Sequence, residues 1–175
     1  INVEYNPKKA FEKISSKSNE YIKESFEIAL KLINNKISNK LINGPISKKS
    51  FLNNKFLGIT EYLANKSNVK DIAMLIYNEN LSVSPVTTHL PLKKVAKKID
   101  KKLKKKKIIL INSFYKDRLK KKPNIAITGL NPHCESIDRY NEDSKIIKPI
   151  VKYMKKSNYK ISGPFPADTI FLKEN

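Results

Sequence analysis

The chain has 175 residues and a formal net charge of +20, with 39% hydrophobic and 9% aromatic residues. That length suits one domain or a piece of a larger one, and the apolar content excludes disorder by composition. No apolar run approaches the ~20 residues of a membrane-spanning helix, and one cysteine, Cys134, excludes an intrachain disulfide framework and a cysteine-rich zinc site.

The single cysteine fits a reducing compartment, and a cytoplasmic location is expected. The charge invites a nucleic-acid reading. However, 34 of the 36 cations are lysines, and Lys, Ile and Asn together make 76 residues. All three use A/T-rich codons, so coding bias supplies much of this charge. A dedicated nucleic-acid binder would use more arginine, whose planar fork reads phosphate and guanine bidentately.

Residues 18–35 carry Ile22, Phe26, Ala29, Leu30 and Ile33 at helical spacing, which predicts an amphipathic helix. Lys40–Asn43 is a short apolar run before Gly44-Pro45 and predicts a buried strand. Residues 47–53 suit one helical turn, and Thr60 is a candidate cap for a helix through Asn65. The apolar runs 71–77 and 81–86, separated by Asn78-Glu79-Asn80, predict two adjacent strands.

Residues 92–99 and 100–120 read as helices, the second with Leu103, Ile108, Ile111, Phe114 and Tyr115 toward the core. Asn124–Thr128 predicts a strand ending at Gly129. Residues 141–156 read as a helix with Ile146, Ile147, Ile150, Val151 and Met154 on one face, kinked or restarted at Pro149. Alternating short strands and longer helices predict an α/β layered fold. There is no repeat and no Gly/Ser linker, so residues 1–175 are read as a single unit. Ile1 is not Met, and the sequence stops just after an apolar stretch, so an internal fragment of a longer protein is expected.

The predicted strands end in loops with chemistry in them. Ligands of open α/β sheets bind beyond the carboxyl ends of strands. The only histidines, His89 and His133, both lie in such loops. Each is a candidate metal ligand, and each also reads as an ordinary structural histidine. A catalytic zinc site takes three protein ligands, and this chain has no third histidine. Cys134 adjoins His133 and reads as a buried, unreactive thiol.

Five loops together carry a resemblance. They are Gly44-Pro45-Ile46-Ser47-Lys48, Gly58-Ile59-Thr60-Glu61, Thr87-Thr88-His89-Leu90-Pro91-Leu92, Gly129-Leu130-Asn131-Pro132-His133 and Gly163-Pro164-Phe165-Pro166-Ala167-Asp168-Thr169. In this order and near this spacing they resemble the 4-hydroxythreonine-4-phosphate dehydrogenase family of vitamin B6 (pyridoxal 5'-phosphate) biosynthesis. The resemblance runs from about Lys40 to the end.

The resemblance implies a three-layer α/β/α fold like that of the isocitrate and isopropylmalate dehydrogenases, with this chain mostly the central domain of a two-domain enzyme. It implies NAD- or NADP-dependent oxidation of 4-phosphooxy-L-threonine, then decarboxylation to 3-amino-2-oxopropyl phosphate. It implies a homodimer with its active site in the interdomain cleft near the dimer interface. It also implies a divalent metal (zinc, magnesium or cobalt) held by three histidines. His89 and His133 stand at two of these positions, and the third falls in a Tyr-His-Asp motif beyond Asn175. The fragment alone is then expected to be inactive.

Thr60 stands at a substrate-binding position, and Ile59 stands where the family has a substrate-binding His. Asp168 is a candidate catalytic residue that would orient a histidine or the substrate amine or relay a proton; it also reads as a turn cap. Lys48 matches a frequently basic position and also reads as a solvated lysine. Two departures stand out. Ile59 cannot hydrogen-bond, and Cys134–Asp138 replaces a Gly-rich segment and is one residue shorter.

Three other readings remain: a dehydrogenase of a related acid phosphate such as threonate 4-phosphate, an inactive relative, or a basic nucleic-acid binder through Lys93–Lys107. Against the last, the lysines surround the helices and few aromatics accompany them. No nucleic-acid partner and no membrane partner is expected.

Overall fold

The computed structural model describes residues 1–9, 12–135, 137 and 139–172, and of Leu103 the backbone only. The expected core role of the Leu103 side chain therefore lies outside the described residues, as do Ser136 and Asp138 of the Cys134–Asp138 segment. The chain forms two compact units, Ile1–Lys70 and Asp71–Asn175, with no Gly/Ser linker between them.

The first unit is helical. Helix α1 spans Asn19–Asn34, α2 Lys48–Phe51 and α3 Ile59–Lys66. Its core is aromatic: Phe26, Phe51 and Phe56 stand 5.1–5.5 Å from the Tyr62 ring, centroid to centroid, around buried Leu52. Such offset and edge-on pairs add to the burial of apolar area. Asn19 Nδ2 donates to Ser50 O at 3.0 Å, tying α1 to α2, and Lys66 pairs with Glu27 at 2.8 Å, tying α3 to α1.

Two expectations fail here. Residues 40–43 form no strand, because no described segment of this unit pairs with them; Leu41 packs on the aromatic core while Ile42 is 93% exposed. Thr60 is not the cap of α3. Gly58 holds that position, and its carbonyl accepts from Tyr62 N at 3.1 Å.

In the second unit α4 spans Leu92–Lys98, α5 Lys101–Leu119, β1 Ile125–Thr128, α6 Lys148–Lys156 and β2 Ile161–Phe165. Strands β1 and β2 are parallel, with Ile125 opposite Ile161 and an irregularity between Ala126 and Thr128. Helix α6 lies between them in sequence, as a parallel pair requires. Ile108 of α5, Ile150 and Met154 of α6, and Ile161 of β2 form one buried cluster, with Ile125 and Ile127 against it. The fold is thus mixed α/β with a small parallel sheet.

Pro149 restarts the helix. A π-helical turn, Asp143–Ile147, precedes α6, and Lys148 N reaches back to Asp143 O. Pro149 then occupies the first turn of α6, where a missing N–H leaves nothing unpaired.

The expected strands at 71–77 and 81–86 reduce to one antiparallel bridge. Ile76 N donates to Val83 O at 2.8 Å and Val83 N to Ile76 O at 2.9 Å. Ile76, Tyr77, Leu81 and Val83 stay exposed, so the apolar runs gain no further ladder from described residues. Phe114, expected in the core, is also exposed.

Strand β2 escapes the sequence reading because Ser162-Gly163-Pro164 looks like a turn. Pro164 cannot donate to a ladder and sits where the register slips. Gly163 has φ +123°, and a Cβ there would lie 2.3 Å from Ile127 O. Among the described residues, no helix is long and apolar enough to cross a membrane.

Candidate functional site

Parallel strands point their carboxyl ends the same way, so the loops after β1 and β2 share an edge. Gly129 N donates to Phe165 O at 2.8 Å and extends the pairing one residue past β1. The chain then turns sharply. Leu130 N and Asn131 N donate to the two carboxylate oxygens of Asp143 at 2.8 and 2.9 Å, and Asn131 Nδ2 adds a third bond at 2.9 Å. Asp143 is fully buried, and its carboxylate replaces the ladder that these N–H groups lack.

Pro132–Cys134 follows as a 3-10 turn in which His133 and Cys134 have φ values of 55° and 59°. Two successive left-handed residues leave the His133 imidazole exposed and bury the Cys134 thiol. Burial pushes that thiol pKa up, and the Asp143 charge adds to the effect. An inert buried thiol follows, as the sequence suggests. Gly129 makes room for it: a Cβ at Gly129 would stand 2.6 Å from Cys134 Sγ.

Asp168 lies in the exposed turn after β2, where Ile170 N closes onto Pro166 O at 3.2 Å. Its charge also reaches the Cys134 thiol. The structure therefore brings the His133 loop and the Asp168 turn together at one edge of the β1–β2 pair. The Asp168 carboxylate accepts no hydrogen bond from a described residue, so no cap is formed there.

His89 stands in the loop before α4. It too is left-handed, at φ 55°, and exposed. For a residue with a Cβ this conformation is uncommon. Both histidines thus sit on tight turns with exposed rings. Among the described residues, no group of three or more His, Cys, Asp and Glu is placed to hold a metal.

Ile59 and Thr60 open α3 in the first unit, both half-buried. Ile59 packs against the Phe26–Leu52–Tyr62 cluster. Lys48 opens α2 and is exposed, while Ser47 caps that helix by accepting from Ser50 N at 3.4 Å.

The sequence reading missed Asp143 and Lys104. Asn141-Glu142-Asp143 reads simply as a helix start, although Asp143 shapes the loop twelve residues earlier. Lys104 is 4% exposed. Four consecutive lysines at helical steps sweep about 300° of a helix, so one of Lys104–Lys107 must face inward.

The family model described as "Pyridoxal phosphate biosynthetic protein PdxA" matches residues 1–175. The 4-hydroxythreonine-4-phosphate dehydrogenase of Sulfurihydrogenibium sp. is 39% identical over 149 residues, covering 83% of this chain and 46% of the relative. That of Neisseria meningitidis serogroup A is 33% identical over 159 residues, covering 86% of this chain and 48% of the relative. A solved 4-hydroxythreonine-4-phosphate dehydrogenase from Klebsiella pneumoniae superposes with a TM-score of 0.80 at 25% identity, covering 92% of this chain and 50% of that one. A putative one from Salmonella typhimurium gives 0.80 at 26%, with the same coverage. The chain spans about half the length of the curated relatives it matches. On the match along its whole length, the chain belongs to the pyridoxal phosphate biosynthetic protein PdxA family.

Proposed function

We propose that this chain contributes two metal ligands and part of the substrate site to a 4-hydroxythreonine-4-phosphate dehydrogenase. The observation that carries this reading is the exposed His133 ring on a left-handed turn, buttressed by buried Asp143 and next to the Asp168 turn. The relatives' printed names support the same reaction class.

The donor set fits a divalent ion. His89 and His133 are exposed imidazoles, each held on a tight turn, and imidazole suits zinc and its neighbours. A third ligand comes from outside this chain. A divalent ion held by these residues would supply a Lewis acid that lowers the pKa of a bound hydroxyl and steadies charge developing on oxygen.

The chain's own residues then do the positioning. The Asp143 carboxylate fixes the backbone of Leu130 and Asn131 and so the approach to His133. Asp168 orients a histidine ligand or the substrate amine, or relays a proton. Thr60 offers a hydroxyl to substrate, and Ile59 offers none. In this reading the hydroxyl of 4-phosphooxy-L-threonine would give up its proton to a base and its carbon a hydride to NAD+ or NADP+, and the resulting 3-keto acid would lose carbon dioxide to give 3-amino-2-oxopropyl phosphate. No residue of this chain is assigned to the dinucleotide. The wider reading is a three-layer α/β/α central domain within a cytoplasmic homodimer.

The test is the full-length gene product with 4-phosphooxy-L-threonine and, separately, threonate 4-phosphate. NADH or NADPH formation with the first supports the reading. Turnover of the second alone moves the substrate assignment, and turnover of neither overturns it.

A further inference from the structure

Lys104 is buried next to a cavity of about 140 Å³ that is partly open to solvent. Leu75, Val86, Ile108, Ile111, Ile125 and Ile127 supply its apolar walls. The polar groups around it are mostly engaged. Ser82 Oγ donates to Asn78 O at 3.0 Å and Ser84 Oγ to Met74 O at 2.6 Å. Lys107 Nζ donates to Ile72 O at 3.4 Å. The Lys104 ammonium forms no ion pair or hydrogen bond with a described residue; its backbone N–H donates to Asp100 O at 3.3 Å.

A buried ammonium without a partner loses its charge readily. Burial lowers the Lys104 pKa to about 8, and the Asp143 charge only partly offsets this. At pH 7.5 its neutral fraction is then roughly two hundred times that of an ordinary lysine. The other charged or titratable groups facing the cavity are Lys107 and Tyr115 of α5. Segments 82–86 and 123–127 line it without charge. Among the described residues no acid lines the cavity, and Asp143 acts from outside it.

We propose that Lys104 is a reversible carbamylation site that takes up carbon dioxide in this cavity. Carbon dioxide is small, uncharged and compatible with apolar walls. The Nζ lone pair of the neutral amine forms a bond to the carbon. One C=O π pair moves to its oxygen, and the nitrogen loses a proton to water. The amine plus carbon dioxide thus give an N-carboxylate and one proton. The product is an anion, and the ammonium of Lys107 on the same cavity balances it. The site does not depend on the proposed dehydrogenase activity.

The full chain is equilibrated with 13C-bicarbonate at pH 7.5, trapped with a trialkyloxonium salt, cleaved before aspartates and sequenced by mass spectrometry. The informative peptide runs from Asp100 to Lys116. The expected result is at least about tenfold more label on Lys104 than on any other lysine of that peptide. Brief acidification before trapping should remove it. Lys104→Met should lose that label, with circular dichroism reporting its fold. Wild-type protein carries the decisive arm, so a misfolded variant leaves the test intact. Label spread evenly along the lysine run, label on the α-amino group alone, or no label on Lys104 overturns the proposal.

Discussion

Asn131 binds one carboxylate oxygen of Asp143 twice, through its backbone N–H and its Nδ2, both at 2.9 Å. Asp143 stands in the π-helical turn that leads into α6, so this pair fastens the loop after β1 to the start of the helix that packs on β2. Replacing Asp143 by Ala should leave the N–H groups of Leu130 and Asn131 unpaired. A loss of about 2–4 kcal/mol is expected in chemical denaturation, in the range for removing a buried hydrogen-bonded charge. Hydrogen exchange at Leu130 and Asn131 should accelerate, while exchange in α1 should not. Unchanged exchange at those two amides would refute the buttressing role.

Gly163→Ala should break the β1–β2 pair. The added Cβ meets the Ile127 carbonyl at 2.3 Å, and φ of +123° lies where a side chain is strained. Both penalties act together, so a loss of about 2 kcal/mol or more is expected in thermal unfolding. Gly129→Ala should cost less, since its closest neighbour is the Cys134 side chain.

Much of this scaffold is legible in the sequence. The helical spacing of Ile22, Phe26 and Ile33 gives α1 almost to the residue, and Ile147, Ile150, Val151 and Met154 are buried as their spacing predicts. What escapes reading depends on tertiary partners. Apolar runs 71–77 and 81–86 have strand composition but, among the described residues, only the Ile76–Val83 bridge. Strand β2 contains Gly163 and Pro164, which punctuate turns elsewhere, and here serve close approach and a register slip. Of the candidate residues, His89, His133 and Asp168 stand out in the sequence by residue type and loop. Asp143 is not, because its role lies in hydrogen bonds to residues twelve and thirteen positions away.

Lys104 should leave a pH signature on stability. Its folded pKa, about 8, lies below the ordinary lysine value of 10.5, so between these values the unfolded chain binds more protons. The penalty of the buried charge is full below pH 8 and fades as pH rises toward 10.5. The gain is up to about 3 kcal/mol, less where water relaxes into the cavity. Lys104→Met should be more stable at pH 7 and should lack this rise. Parallel pH profiles of the two proteins, measured by urea denaturation, check the sign.

On the proposed substrate-binding role of position 59, Ile59→His should add a donor toward substrate in the full-length protein. One added hydrogen bond predicts about a tenfold gain in kcat/KM with 4-phosphooxy-L-threonine. Ile59 also packs on the aromatic core of the first unit, so about 1 kcal/mol of stability should be lost. No kinetic gain would remove Ile59 from the substrate site.

The central claim is that His89 and His133 serve one metal-assisted oxidation. Its most direct test is NAD(P)H formation by the full-length protein with 4-phosphooxy-L-threonine, before and after chelation, in wild type, His89→Ala and His133→Ala. Both rings are exposed, so both variants should fold normally. The account predicts wild-type activity that chelation abolishes and added divalent metal restores, with at least about a hundredfold loss in each variant. Activity that survives chelation, or that either variant retains in full, would contradict it.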